Sequence, residues 1–284
     1  MTSDGANTSS VKIRALRSTQ EKTDSRVILY CMFAREKGFQ YVRVNSPPDT
    51  DILFILLHYA AKLLHGITVL LETGKGSERK CIDVSNLFAS LTPCRTSALL
   101  GLHAFTGCDS TSAFKRKWKV KPIKLLFKTQ RYIDAFPRLG YSWEFDDCDM
   151  DTIQMFVCAL YGNARIRKVN ELRYVILQRK YGGYNAFKMS ANFDLSALPP
   201  CLDCLEQHVK RANYQVAIWK QAHIPEPSIP NPNKGHGWTY EDGTMQPLRT
   251  SRDVLPKQLV DILESTVEDI EDTEGKDNSD NGRN

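Results

Sequence analysis

Between residues 21 and 84 the apolar pattern switches repeatedly between helical and strand periodicity, and this alternation restricts the fold more than any other feature of the chain. Val27, Ile28, Cys31 and Met32 recur three and four apart, and Gly38 stands where a helix C-cap belongs. Residues 40–45 alternate as a short strand, which Ser46-Pro47-Pro48-Asp49 breaks while offering helix-start signals. Residues 51–65 are apolar and long enough for a helix, although 52–57 alone would also suit a buried strand. Residues 67–73 read as a second strand, Gly74-Lys75-Gly76-Ser77 as a turn and 79–84 as a returning strand. Helix, strand, helix and hairpin in this order are the middle of an α/β layer structure.

Downstream the pattern is helical. The spacing predicts helices over 85–91, 95–105, 122–128, 151–161, 169–181 and 202–222. The last carries one apolar stripe (Leu202, Leu205, Val209, Ala212, Val216, Trp219) between Pro199-Pro200 and Pro225. The fold class is therefore α/β followed by α. The expected organisation is a disordered arm (1–19), an α/β domain (20–145), a helical domain (146–224), a Pro/Gly-rich wrap with a short helix (225–260) and an acidic disordered tail (261–284).

Composition narrows the class. Hydrophobic residues make up 42% and charged residues 25% of 284, ordinary globular usage. The apolar run 52–57 is far short of the ~20 residues of a membrane span. The polar N-terminus lacks the apolar core of a secretory signal, so an intracellular chain with eight reduced cysteines and no membrane contact is expected. Residues 261–284 hold nine acids and two bases, a net of −7, against +5 for the whole chain. The preceding 260 residues thus carry +12, a basic body that suits an anionic partner such as nucleic acid.

Three clusters bear on chemistry. Asp49-Thr50-Asp51 follows a strand, where α/β sheets place their active sites. Taken alone, Asp49 reads as a helix cap and Asp51 as a first-turn acid facing the helix dipole. The other reading is a pair of oxygen ligands for a divalent ion. Asp109, in Gly107-Cys108-Asp109, reads alone as a cap between two helices. Lys115, Arg116, Lys117, Lys119, Lys121, Lys124 and Lys128 interleave with Trp118 and Phe127. That stretch is either a solvated face with Trp118 packed inward or a contact for phosphates and bases. Weaker signals are Cys201-x₂-Cys204-x₃-His208, which has zinc-like spacing but reads as one core helix face, and His103 with Cys108, where a satisfied core histidine is expected. His236-Gly237-Trp238 is expected to pack the wrap onto the body.

The D-T-D after a strand and the G-C-D between helices resemble the flap-endonuclease branch of the PIN-type 5′-nucleases. Over residues 20–245 the chain is similar to an animal group of PIN-like, mobile-element-associated proteins, with TGCDSTSAFKRKWKV and NKGHGWTYEDG among the segments that carry the likeness. The resemblance implies an incomplete PIN-like domain descended from metal-dependent phosphodiester hydrolases. It implies Asp24, Asp49, Asp51 and Asp109 as ligands for Mg or Mn, and Lys115, Arg116, Lys117, Trp118, Lys119, Lys121 and Lys124 as nucleic-acid contacts. The group's acidic pair corresponds to Glu21-Lys22-Thr23-Asp24-Ser25-Arg26, so Lys22 stands where a second Glu belongs. The opening strand with its metal-binding Asp has no counterpart in the polar residues 1–19. A two-ion mechanism requires both ions held ~3.5–4 Å apart. A nuclease-related protein with little or no hydrolysis is the expectation, and a non-catalytic nucleic-acid-binding or interaction module using 115–128 is the alternative.

Overall fold

A computed structural model describes residues 2–4, 7–9, 12–47, 49–63, 66–145, 149–181 and 197–252. The fold is mixed α/β and about 51% helical with a small sheet. The expected acidic tail and any short helix beyond residue 252 lie outside the described residues.

Within residues 1–19, where an arm without structure was expected, Thr2–Asp4 (β1) pairs antiparallel with Asn7–Ser9 (β2). Ser18 and Thr19 both donate to the Pro225 carbonyl, and the Gln20 amide donates to Ala222 O (3.1 Å) and Ile224 O (2.5 Å). The segment is thereby tied to the end of the longest helix.

Helix α1 (Thr23–Glu36) ends at Gly38, whose φ of +78° is the left-handed conformation that glycine adopts without a Cβ penalty. Strand β3 (Tyr41–Ser46) runs parallel to β4 (Thr68–Thr73), and β5 (Lys80–Asp83) returns antiparallel to β4. The sheet order is β3-β4-β5. Helix α2 (Thr50–Leu63) makes the crossover between the two parallel strands, which settles residues 52–57 as helix. A six-residue apolar run suits either structure locally, and the parallel pairing of its flanking strands demands the crossover. Val44, Val69 and Leu71 point into the core from the sheet, while Ile55, Leu56 and Leu57 bury three successive faces of α2. A helix apolar on all sides is a buried helix.

Helix α3 (Val84–Ala89) is capped by Asp83, which accepts from Asn86 N. Helix α4 (Pro93–Phe105) starts with Thr92 as N-cap and Pro93 in its first turn, where a missing N–H costs nothing. From Ala98 to Phe105 every residue of α4 is buried. Gly101 permits this: a Cβ there would press into the Phe136 carbonyl oxygen. Short helices α5 (Val120–Leu126) and α6 (Gln130–Ala135) are followed by α7 (Met150–Leu160), α8 (Val169–Tyr181) and α9 (Leu202–Lys220). The apolar stripe of α9 lies against α4, and the Tyr59 hydroxyl of α2 donates to Trp219 O and Lys220 O.

One hydrophobic cluster runs from Ile28 through Ala222. The boundary expected at 145/146 therefore does not separate two cores. The wrap holds a hairpin that periodicity did not anticipate, Trp238–Glu241 (β6) with Thr244–Pro247 (β7). Its two-residue loop, Asp242-Gly243, has φ of +49° and +73°, as the hairpin turns favoured by strand twist require. As expected, His236 and Gly237 pack onto the body. His236 is buried beside Tyr214, and Gly237 lies so close to α9 that a Cβ would stand 2.5 Å from Gln207 O.

Candidate functional site

Asp49 and Asp51 emerge at the carboxyl end of β3, where the chain turns into α2. Asp49 Oδ1 accepts from the Asp51 backbone N–H at 2.9 Å, the N-cap contact that satisfies one of the helix's orphan donors. Asp51 does not face the solvent as a first-turn acid would. It is 4% exposed, and its Oδ1 accepts from His103 Nε2 on α4 at 2.6 Å. His103 is stacked between Phe54 (centroids 4.2 Å apart) and Trp219 (5.7 Å). Burial lowers the His103 pKa despite the bond to Asp51, with the Lys119 charge adding to the decrease. A neutral ring can donate to a carboxylate only from Nε2–H, which leaves Nδ1 as an acceptor. Neither His103 Nδ1 nor Asp51 Oδ2 has a hydrogen-bond partner among the described residues, although both are buried.

The other acids meet at the start of α1. Asp24 lies in its first turn, and Lys22 is the residue that enters it. The Lys22 ammonium pairs with Asp109 Oδ2 at 3.3 Å, across from the turn that follows α4. Burial pulls the Lys22 pKa down, but the hydrogen bond to Asp109 and the charges of Asp109, Asp24 and Asp51 outweigh it and leave it raised. Asp24 is raised as well, by burial first and then by the charge of Asp49, with Asp51 adding. Asp24, Asp51 and Asp109 thus share the field of one ammonium, and Asp49 shares the field of Asp24.

This donor set does not fit a divalent ion pair. Ligation needs carboxylate oxygens converging on a common centre. Asp49 caps a helix, Asp51 is bonded to His103, Asp109 is paired with a cation and that cation stands among the acids. No group of three or more His, Cys, Asp or Glu side chains that could hold a metal ion occurs among the described residues. Cys201, Cys204 and His208 are no exception, because His208 is buried with Nε2 at 2.7 Å from Phe105 O.

The side chains of the basic stretch take different directions. Trp118 is 85% exposed, so it does not pack inward. With Arg116, Lys121, Lys124 and Lys128 it lines a surface groove of about 530 Å³ floored by Leu125 and Ala159. Lys117 lies over the Tyr161 ring at 4.5 Å. Lys119 differs from the expectation: it turns inward and donates to His103 O (3.0 Å) and Gly107 O, satisfying carbonyls at the end of α4. Burial pushes its pKa down to about 8, against the pull of Cys108 and Asp51. Lys115 faces a different cavity from the groove, beside Arg211 and Arg249, residues that sequence spacing could not group with it.

No helix among the described residues is long and apolar enough to cross a membrane. Compared with protein-family models, with curated proteins and with solved structures, the chain finds no match in any of the three.

Proposed function

We propose that this chain is a nuclease-related, PIN-like protein whose carboxylates share the field of its own lysine and which does not hydrolyse phosphodiesters. The observation that carries the reading is the Lys22 ammonium, 3.3 Å from Asp109 and within the field of Asp24 and Asp51. The relation to PIN-like nucleases is supported by the order of elements: parallel strands joined by α2, Asp49 and Asp51 at a strand's carboxyl end, and Asp109 brought to the same neighbourhood from beyond α4. The loss of hydrolysis is supported by charge. An exposed ion pair contributes little to stability, but a fixed positive charge among carboxylates disfavours a second cation there.

The test is a cleavage assay on single-stranded and flap oligonucleotides with Mg or Mn, using purified protein and Asp49→Ala as control. The expected result is no metal-dependent cleavage above that of Asp49→Ala. Robust cleavage by the unmodified chain, abolished in Asp49→Ala, would falsify the reading.

A second reading, binding of single-stranded nucleic acid without chemistry, is favoured by the exposed Trp118 amid lysines. Base–aromatic stacking is worth about 1–3 kcal/mol per base. Trp118→Ala is expected to weaken oligonucleotide binding by that amount without changing its salt dependence. Lys121→Ala with Lys124→Ala should instead flatten the salt slope, because phosphate contacts release counterions. Fluorescence anisotropy at several salt concentrations separates the two effects. Binding indifferent to both changes removes the groove from consideration.

A further inference from the structure

Where the basic stretch begins lies a cavity of about 270 Å³ whose lining includes none of Asp24, Asp49, Asp51 and Asp109. Phe114, Tyr161, Leu198 and Pro200 give it an apolar wall, and Lys115, Arg211 and Arg249 bring positive charge to it. No described Asp or Glu lines it.

Arg211 is the unusual member. It projects from the middle of α9 and is only 4% exposed. Buried arginines are ordinarily paired with a carboxylate, since an unpaired buried charge is costly. Arg211 has none among the described residues. Its Nη1 donates to Gly237 O (2.8 Å) and Leu248 O (2.6 Å), the two carbonyls at the base of the β6–β7 hairpin. Those bonds hold one edge of the guanidinium in place, while Nε and Nη2 make no hydrogen bond among the described residues. Burial lowers the Arg211 pKa to about 10, and the nearby charge of Arg249 adds to the decrease. Arg211, whose guanidinium also lies 6.0 Å from the Trp238 ring centroid, and Arg249 therefore line one small cavity with no Asp or Glu among its described lining residues. The remaining polar neighbours do not supply one. Burial pushes His208 down to about 4 and Cys204 up to about 11, so both are neutral at pH 7. The Asp203 carboxylate accepts from Ser251 and Arg252 instead.

We propose that this cavity binds a phosphomonoester, with Arg211 and Arg249 gripping the phosphate and Phe114 and Tyr161 lying against the group that carries it. Guanidinium forks match phosphate oxygens bidentately. A monoester carries about −1.5 to −2 charge at pH 7, which suits two arginines with Lys115 beside them better than a singly charged diester does. The cavity is slightly below the roughly 300–1,000 Å³ of drug-sized ligand sites, so it takes the phosphate and the part of the attached group next to it. Two sources share this chemistry: a free mononucleotide and the phosphorylated end of a nucleic-acid strand.

The experiment is equilibrium binding to the full chain at constant ionic strength. The probes are adenosine 5′-monophosphate, adenosine, and one single-stranded oligonucleotide bearing either a 5′-phosphate or a 5′-hydroxyl. The monophosphate is expected to bind and adenosine not to. Arg249 is exposed, so Arg249→Ala keeps the fold, which a melting curve verifies. This variant should weaken monophosphate binding about tenfold or more, as expected for one lost charge-assisted contact, with partial recovery in Arg249→Lys. If the 5′-phosphate strengthens oligonucleotide binding and Arg249→Ala removes that advantage, the source is a strand end. If the two oligonucleotides bind alike while the monophosphate still depends on Arg249, the source is a free nucleotide. Equal binding of monophosphate and adenosine, or monophosphate binding that is absent or unchanged in Arg249→Ala, overturns the proposal. None of these outcomes depends on Asp49, Lys22 or Trp118, so the cavity and the function proposed above stand or fall separately.

Discussion

His103→Phe is expected to destabilise the fold by about 3–5 kcal/mol, although it keeps an aromatic ring between Phe54 and Trp219. The loss comes from the other end of the contact. Asp51 Oδ2 already has no partner among the described residues, so the carboxylate depends on His103 for its one side-chain hydrogen bond. Removing that donor strands a carboxylate that is 4% exposed. Stranding a buried charge is far more costly than losing an ordinary hydrogen bond. The reverse change should be milder. Asp51→Asn leaves a neutral amide opposite a neutral ring that can still be accommodated, at about 1–3 kcal/mol. The double variant His103→Phe with Asp51→Leu should recover at least half of the loss, since replacing both partners by apolar groups removes the stranded charge. Urea unfolding of the four proteins measures this directly. Equal losses in the two single variants, or no recovery in the double, would show that the pair is merely packed and not coupled.

The same pair shows how far the sequence could be read. The length of the apolar stretch suits α2, and Asp51 lies one turn before Ile55, which is 1% exposed. That spacing marks Asp51 as facing inward, but a carboxylate in a first turn is so commonly a dipole partner that the local rule conceals the tertiary one. Its partner His103 is 52 residues away, on a helix that the spacing did predict. Lys119 is concealed in the same way. Six lysines and arginines surround it between 115 and 128, and nothing local marks the one that turns inward to the end of α4.

The β6–β7 hairpin, by contrast, is legible. Asp242-Gly243 is a strong two-residue turn signal, masked only by the preceding Pro- and Asn-rich stretch, which reads as loop. Helix α6 spans six residues, Gln130–Ala135, too few for a helical period to register. The phosphate cavity could not be read locally at all. Arg211 comes from α9 and Arg249 from beyond β7, and only the hairpin's docking brings them together. Long-range juxtaposition of residues that are unremarkable one by one is what periodicity and spacing do not carry.

Acid should weaken the fold as pH falls from 6.5 toward 4, and His208 should account for about 3 kcal/mol of the loss at pH 4. Its ring is wedged between Phe105 and Phe114, with centroids 5.3 Å from each, and Nε2 is 2.7 Å from Phe105 O. Burial, aided by the charge of Arg211 one turn along α9, lowers its pKa to about 4. The folded state therefore stays unprotonated there while an unfolded histidine, near 6.5, takes up a proton. Between those values the unfolded chain binds more protons, so stability rises with pH. It is complete above 6.5 and is lost as pH falls toward 4. His103 and His236 are lowered too, by burial first, and act in the same direction. Asp24 opposes them. Its raised pKa means that the folded state takes up that proton first, offsetting some of the loss at the lower end of the window. Asp203 is lowered below the usual carboxylate range by its bonds to Ser251 and Arg252, despite some burial, so its contribution falls away only below the histidine window. His208→Gln keeps a donor within reach of Phe105 O and removes the titration. Its stability at pH 7 should be modestly lower than that of the unmodified chain, and its decline from pH 6.5 to 4 should be shallower by about 3 kcal/mol. Urea midpoints at pH 7, 5.5 and 4.5 decide the matter. Parallel declines in the two proteins would mean that His208 takes up its proton in the folded state as readily as in the unfolded one, and that its ring is not sealed between the two phenylalanines.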